Sequence, residues 1–189
     1  MKLVIAITGA SGSLYAQRLL DNLDAQQHQI HVIMSDYARQ VIQEELEGDL
    51  QIPARVTRHL GNSSMHVPFV SGSAKFDAMV IIPCSVGTLG RIAHGASDDT
   101  IARAADVFLK ERRKLILVPR EAPYNLVHLR NMMTVTEAGG LILPASPSFY
   151  GRPKTVTEVV DTIIARVLDH LGIAHHLIKR WGGDEGAAR

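Results

Sequence analysis

Cysteine is almost missing from this 189-residue chain, which holds only Cys84. That excludes an internal disulfide framework and any zinc cluster built on cysteines, and its place in an apolar run reads as a buried small hydrophobe. An excess of either charge is missing too: 20 basic side chains stand against 19 acidic ones. The chain as a whole therefore carries no field suited to nucleic acid, and any basic patch must be local. No apolar run approaches the roughly 18 residues of a membrane span, and no charged segment leads into an apolar one as in a secretory leader. A soluble, cytoplasmic protein with neither membrane nor nucleic acid as partner is expected. Missing motifs narrow the chemistry further. There is no Gly-Lys-Ser/Thr phosphate loop and no HExxH pair, and the adjacent His175 and His176 would point about 100° apart on a helix, so no metal is expected.

What is present is a chain with 46% apolar residues, enough to build a full core as one domain over residues 1–189. Continuous apolar runs at Lys2 to Thr8, Ile30 to Ser35, Ala78 to Pro83, Leu115 to Pro119 and Leu141 to Pro144 read as strands covered on both faces. Helical periodicity separates them at Leu14 to Gln26, Ala38 to Leu46, Val86 to His94, Asp99 to Arg113, Leu126 to Ala138 and Val156 to Leu171. The architecture implied is a three-layer α/β/α domain, a doubly wound, Rossmann-like parallel sheet. The stretch from Glu47 to Lys75 reads as a loop excursion with one short strand. The tail from Trp181 to Arg189 reads as frayed at its end, with Trp181 as an interface or core anchor.

Thr8-Gly9-Ala10-Ser11-Gly12-Ser13 runs from the first strand into the first helix, the arrangement by which α/β proteins bind a phosphate on backbone amides at a helix start. It is not the dinucleotide fingerprint, because Ser11 stands where the middle glycine of GxGxxG belongs. Short-chain dehydrogenases share such an opening and need a Tyr-x-x-x-Lys helix turn. Tyr150 and Lys154 have that spacing, but Gly151 and Pro153 between them oppose a helix. In doubly wound sheets the ligand sits beyond the carboxyl ends of the strands. There the sequence offers Ser35-Asp36, Ser85 to Thr88, Arg120-Glu121 and the segment from Pro144 to Tyr150. Each hydroxyl taken alone also fits a helix cap. A mononucleotide, with its phosphate on the first helix and the Ser85 to Thr88 loop around a ring system, fits better than a dinucleotide.

The set of motifs resembles the UbiX-type flavin prenyltransferases. It comprises Thr-Gly-Ala-Ser-Gly followed by Tyr15, Met34-Ser35, Pro-Cys-Ser-x-x-Thr-Leu, Arg103-Ala-Ala-Asp-Val-x-Leu-Lys110-Glu-Arg-Arg, Val-Pro-Arg120-Glu-Ala-Pro, Ser148-Phe-Tyr150-x-x-Pro and Arg180-Trp181, in order along the chain. The resemblance implies an enzyme that transfers a dimethylallyl group from dimethylallyl monophosphate to reduced FMN, without a metal. Its prenylated FMN product would serve a UbiD-type decarboxylase. It assigns FMN contacts to Ala10, Ser11, Gly12, Ser35, Ser85, Val86, Gly87, Thr88 and Arg120. It assigns the dimethylallyl phosphate to Tyr150 and Arg166, with Arg103, Lys110, Glu121 and Glu45 completing the pocket. It also implies a homododecamer whose sites form where subunits meet. An aromatic that walls the site in some members is absent near Met65.

The residues suit that chemistry. Breaking an allyl C–O bond places negative charge on the leaving phosphate, which cations must meet. Arg103 and Lys110, seven apart, fall on nearly one helix face, and Arg120 and Arg166 could join them. Glu45, Glu121 and Ser11 are candidates for proton movement, Glu121 at the phosphate and the other two on the flavin side. An ion pair with Arg120 is the alternative for Glu121, and a solvated face for Glu45. Arg112 and Arg113 are assigned to the surface. Two further functions stay open: an FMN-dependent cysteine decarboxylase of the same fold, for which His66 would be the catalytic histidine, and a non-catalytic FMN-binding subunit.

Overall fold

The computed structural model describes residues 1–59 and 61–179, in two compact units, Met1–Ala145 and the stretch from Ser146 onward. Residues 180–189, including Arg180 and Trp181 and the tail expected to fray, lie outside the described residues. In the first unit the chain runs β1 (Lys2–Ile7), α1 (Ser13–Asp21), β2 (Gln29–Met34), α2 (Asp36–Glu45), β3 (Thr57–His59), a 3-10 turn (Pro68–Val70) and β4 (Ala78–Cys84). It continues through α3 (Val86–Ala93), α4 (Thr100–Lys110), β5 (Lys114–Pro119), α5 (Leu126–Glu137) and β6 (Leu141–Ile142).

The sheet is parallel throughout, in the order β3-β2-β1-β4-β5-β6. The chain winds outward from β1 to β3, returns to place β4 beside β1, and winds outward the other way. Right-handed crossovers in opposite directions put α1 and α2 on one face and α3, α4 and α5 on the other. The strands read as unbroken apolar runs because both faces are covered: every residue of β4 is buried. On the α3–α4 face, Val4, Met79, Ile81, Leu115 and Leu117 pack with Leu89, Ile92, Ala104, Ala105 and Phe108. Phe69 of the 3-10 turn joins this cluster and is fully buried, as is Phe108.

Two helices stop earlier than the periodicity predicts, for local reasons. α1 ends at Asp21, because Asp24 takes the Gln26 amide on its carboxylate at 2.7 Å and the Gln27 amide on its carbonyl at 3.1 Å, a turn that competes with the helix. α4 ends at Lys110, because Arg112 adopts φ 55 and the Arg113 amide reaches back to the Phe108 carbonyl at 2.8 Å, a Schellman closure. The excursion after α2 holds the one short strand expected of it, β3.

In the second unit, α6 (Val156–Leu171) starts on Thr155, whose hydroxyl accepts the Glu158 amide at 3.1 Å. The Lys154 amide donates back to the Glu158 carboxylate at 2.6 Å, and Gly172 at φ 75 ends the helix. Residues 150–154 are turn and irregular backbone, so the Tyr150/Lys154 pair lacks the helix a dehydrogenase needs.

Candidate functional site

At the switch point the two innermost strands end side by side, and a buried threonine ties their loops together. Thr8 donates its hydroxyl hydrogen to the Pro83 carbonyl at 2.9 Å and accepts the Ser85 amide at 2.7 Å. It was no site candidate on sequence, although its place as the first residue of the Thr-Gly-Ala-Ser-Gly loop was the available signal. Ser35, beyond β2, is bonded through its amide to the Ile7 carbonyl at 3.0 Å, and its hydroxyl caps the Ala38 amide at 3.1 Å. Ser85 caps Thr88 at 3.3 Å and reaches its hydroxyl at 3.0 Å. Ala10 is buried beside them.

The glycines of the first loop serve close approach as much as a ligand. A Cβ on Gly9 would collide with the Tyr37 Cβ of α2, and Gly12 at φ 115 stands against the Tyr15 ring. That packing lays α2 across the loop and brings Glu45 to the start of α1. Its carboxylate accepts the Gly12 amide at 2.9 Å and the Ser13 amide at 2.7 Å. One expectation is corrected here. Glu45 is exposed, yet its carboxylate turns back onto the loop, and the amides opening α1 are taken by this carboxylate of the chain itself rather than left for a phosphate. Burial pushes the Glu45 pKa up, but bonds from the Ser11 hydroxyl and the Ser13 and Gly12 amides outweigh it and hold the group below the ordinary carboxylate value.

The start of α3 is arranged differently. Its cap uses Ser85 on Thr88, while Gly87 is exposed with nothing near the position a side chain would take. At the start of this eight-residue helix the space beside Gly87 is open and no side chain of the described residues fills it as Glu45 fills the start of α1, the setting that suits an anion.

Arg120, just past β5, joins three loops. Its amide donates to the Cys84 carbonyl at 3.3 Å and its Nε to the Ser11 carbonyl at 3.0 Å. Two tyrosines outside the candidate set stand beside it. Burial raises the pKa of the Tyr15 phenol, with Arg120 opposing. Burial and then Glu121 raise that of Tyr124, again against Arg120. Glu121 accepts the Ala122 amide at 3.0 Å. A cleft of about 350 Å³ lined by Met34, Arg39, Gln43, Gly48 and Asp49 opens beside the end of β2. It includes none of the candidate residues.

The remaining candidates lie elsewhere. Arg103 and Lys110 do share one helix, α4. Arg103 is half-buried, its Nη1 3.2 Å from Asp106, its Nε buried with no partner. Lys110 ends α4 just before β5, whereas Arg120 follows β5; six strand residues put the two on the order of 20 Å apart. One chain therefore brings Ser11, Glu45, Ser35, Ser85 to Thr88 and Arg120 to the carboxyl edge and leaves Lys110 at the amino edge. In the second unit Tyr150 is exposed, and Arg166 pairs with Asp169 at 2.9 Å. Arg113 is not a free surface arginine: half-buried, it donates to the Ala74 and Gly72 carbonyls at 2.7 and 2.6 Å. Arg112 is exposed and so is His66. Cys84 is buried as read, its thiol pKa pushed up to about 12 by desolvation.

Fold and site together define a doubly wound α/β protein with an anion-ready helix start beside its switch point. The sequence profile of the family described as Flavoprotein matches residues 1–168. The flavin prenyltransferase UbiX of Methanocaldococcus jannaschii is 45% identical over 183 residues, covering 96% of this chain and 99% of its own. An AnUbiX crystal structure in complex with FMN and dimethylallyl pyrophosphate superposes with a TM-score of 0.91 at 38% identity, over 96% of this chain and 97% of its own. A dodecameric FMN-dependent UbiX-like decarboxylase from Escherichia coli O157:H7 gives 0.90 at 38%, over 96% and 99%. The cysteine decarboxylase TvaF, at 19% identity and a TM-score of 0.58 over 75% of this chain and 88% of its own, shares the fold alone. The chain belongs to the Flavoprotein family and, within it, to the UbiX-type flavin prenyltransferases.

Proposed function

We infer that this protein transfers a dimethylallyl group from dimethylallyl monophosphate to reduced FMN, and that the prenylated FMN serves a UbiD-type decarboxylase. The observation that carries the reading is the division at the switch point: Glu45 fills the start of α1, while the start of α3 stays open beside Arg120. The FMN phosphate then belongs on the amides of Val86 and Gly87 with the Ser85 and Thr88 hydroxyls, and Ala10, Ser11, Gly12, Ser35 and Arg120 line the rest of the flavin. When bound, the reduced flavin supplies the electron-rich ring that takes the allyl carbon.

The chain's own part is charge, protons and exclusion of water. As the allyl C–O bond breaks, its electron pair goes to the phosphate. Arginine and lysine side chains fixed beforehand stabilise that charge without a metal, and removing one such donor costs about 3–4 kcal/mol. Arg120, Arg103, Lys110, Arg166 and Tyr150 are the groups we assign to it, with Glu121 orienting them or passing a proton at the phosphate. Glu45, kept ionised by the Ser11 hydroxyl and two amides, draws on that hydroxyl and so gives a proton released at the flavin a path through Ser11.

Lys110 meets the other groups only if a second copy presents its amino edge to this carboxyl edge. On this ground we read the protein as an oligomer, and from its likeness to the dodecameric UbiX-like decarboxylase as a homododecamer. The exposed Leu126, Val127, Leu129 and Met133 of α5 support it, an apolar helix face that the described residues leave bare. We also read residues 1–189 as one functional domain, since the family match to residue 168 crosses both units. No helix of the described residues is long and apolar enough to cross a membrane, and we place the protein in the cytoplasm.

The test is anaerobic: protein, FMN, a reductant and either the monophosphate or the diphosphate donor, with no added metal. Flavin heavier by one C5H8 unit in mass spectra is the expected product. Unchanged FMN with both donors would refute the assignment.

A further inference from the structure

The end of α4 is built around a glycine whose backbone does not ask for one. Gly72 has no left-handed φ, yet a Cβ there would collide with the Glu111 carboxylate and stand 2.9 Å from the Lys110 ammonium. Both are the far ends of flexible side chains, so a side chain at this position would displace the pair rather than unfold the turn. Glu111 Oε1 lies 2.5 Å from Lys110 Nζ. Arg113 holds the loop that carries Gly72 through the Gly72 and Ala74 carbonyls, at 2.6 and 2.7 Å. Its charge also lowers the Glu111 pKa, after the larger effect of Lys110 itself. Arg112 makes the closure possible by taking φ 55, a conformation that non-glycine residues seldom adopt. An exposed lysine-glutamate pair by itself contributes little to stability. Here the loop beside the pair is held in place by the two bonds from Arg113, and its glycine leaves the room that the pair occupies.

Resting on the reading above that Lys110 carries charge to the donor phosphate, we propose that Glu111 is a positioning residue for Lys110. Its seat over Gly72, closed by Arg113, fixes the point at which the ammonium is presented to the neighbouring copy's substrate. The carboxylate holds the long lysine side chain in one rotamer before the phosphate arrives, so less rotamer freedom is lost on binding. Glu111 touches no reacting atom.

The experiment is a double-mutant cycle in the assembled enzyme, using Glu111→Gln and Lys110→Ala, with Gly72→Ala as a second route to the same displacement. Lys110→Ala establishes whether the underlying reading stands, and a turnover loss of about 10²–10³ is expected. Glu111→Gln should lower kcat/KM for dimethylallyl monophosphate about tenfold or more, with KM for FMN and the melting midpoint unchanged. Gly72→Ala should do the same, and Glu111→Gln should add nothing in the Lys110→Ala background. A Glu111→Gln enzyme as active as wild type, or one whose loss adds to that of Lys110→Ala, would overturn the positioning role while leaving the reaction assigned. A fully active Lys110→Ala enzyme would instead remove the role given to Lys110, and the proposal with it.

Discussion

At the carboxyl edge of the sheet the candidate charged groups Arg120 and Glu45 are held by backbone atoms, whereas at the amino edge the candidate Lys110 is held by another side chain. Arg120 rests on the Ser11 carbonyl and Glu45 on two amides. Lys110 rests on Glu111 over a bare glycine. The first arrangement follows from topology, because parallel strands deliver their loops to one edge whatever the side chains do. The second depends on particular residues meeting at the end of one helix. Of the proposed charge set, Arg120 is thus placed by the fold and Lys110 by an addition to it. The length of β5 keeps the two apart within one chain, so the proposed site would take them from different copies.

The largest expected effect tests that division. Arg120→Ala and Lys110→Ala chains should each be nearly inactive alone. When they are unfolded and refolded together, activity should return in about a quarter of the sites, the share expected if each site takes its two halves from different copies at random. No recovery in an assembly of normal size would mean that both residues serve one chain, and the comparison of edges would lose its functional meaning.

A middle-sized effect probes the carboxyl edge alone. Thr8 is buried and joins the two innermost loops through one donated and one accepted bond. Thr8→Val keeps the volume but leaves the Ser85 amide and the Pro83 carbonyl without that partner. A loss of about 1–3 kcal/mol is expected in urea unfolding, together with weaker FMN binding. Wild-type stability would show that the amide network holds the edge without its threonine.

The sequence disclosed most of what topology decides. The strands, the α3 to α6 periodicities and the short strand within the excursion all rest on apolar runs and spacing, which burial on both faces imposes directly. What it hid are meetings between distant residues. Nothing local says that Glu45, on a helix with Glu44, turns back to the start of α1, because the cause is the packing of Tyr37 over Gly9. Arg113 looks like one of five charged residues in a row, and its two carbonyl partners lie 39 and 41 positions away. Tyr15 and Tyr124 acquire meaning only beside Arg120. The motifs that carried the family resemblance named residues from both edges without indicating that a full strand length separates them.

The smallest expected effect falls on a third region, the outer β2–β3 edge, where two histidines meet. His31 Nδ1 lies 2.9 Å from His59 Nε2, and Gln29 Nε2 is 3.1 Å from His31 Nε2. An amide nitrogen only donates, so His31 Nε2 accepts, its Nδ1 carries the hydrogen, and His59 Nε2 accepts in turn. Both rings are neutral in this network, and the edges of Phe69 and Phe76 close around His31. Burial pushes both pKa values down, and for His31 the His59 ring and the Lys2 ammonium add to it. A folded value below the unfolded one, about 6.5, means that the unfolded chain binds more protons as pH falls. Stability is then complete above about pH 6.5, declines below it, and levels off once pH has passed the folded values. Between about pH 7 and about pH 5 the melting midpoint of the wild type should fall about 2–4 °C further than that of His59→Phe, which keeps an aromatic ring in the cluster and removes the acceptor. Turnover at neutral pH should be the same in both, since this edge lies beyond β2 on the side away from β4 and β5. Equal pH slopes would mean that the ring pair accepts a proton without parting, and that β3 is held by its ladder and the phenylalanines alone.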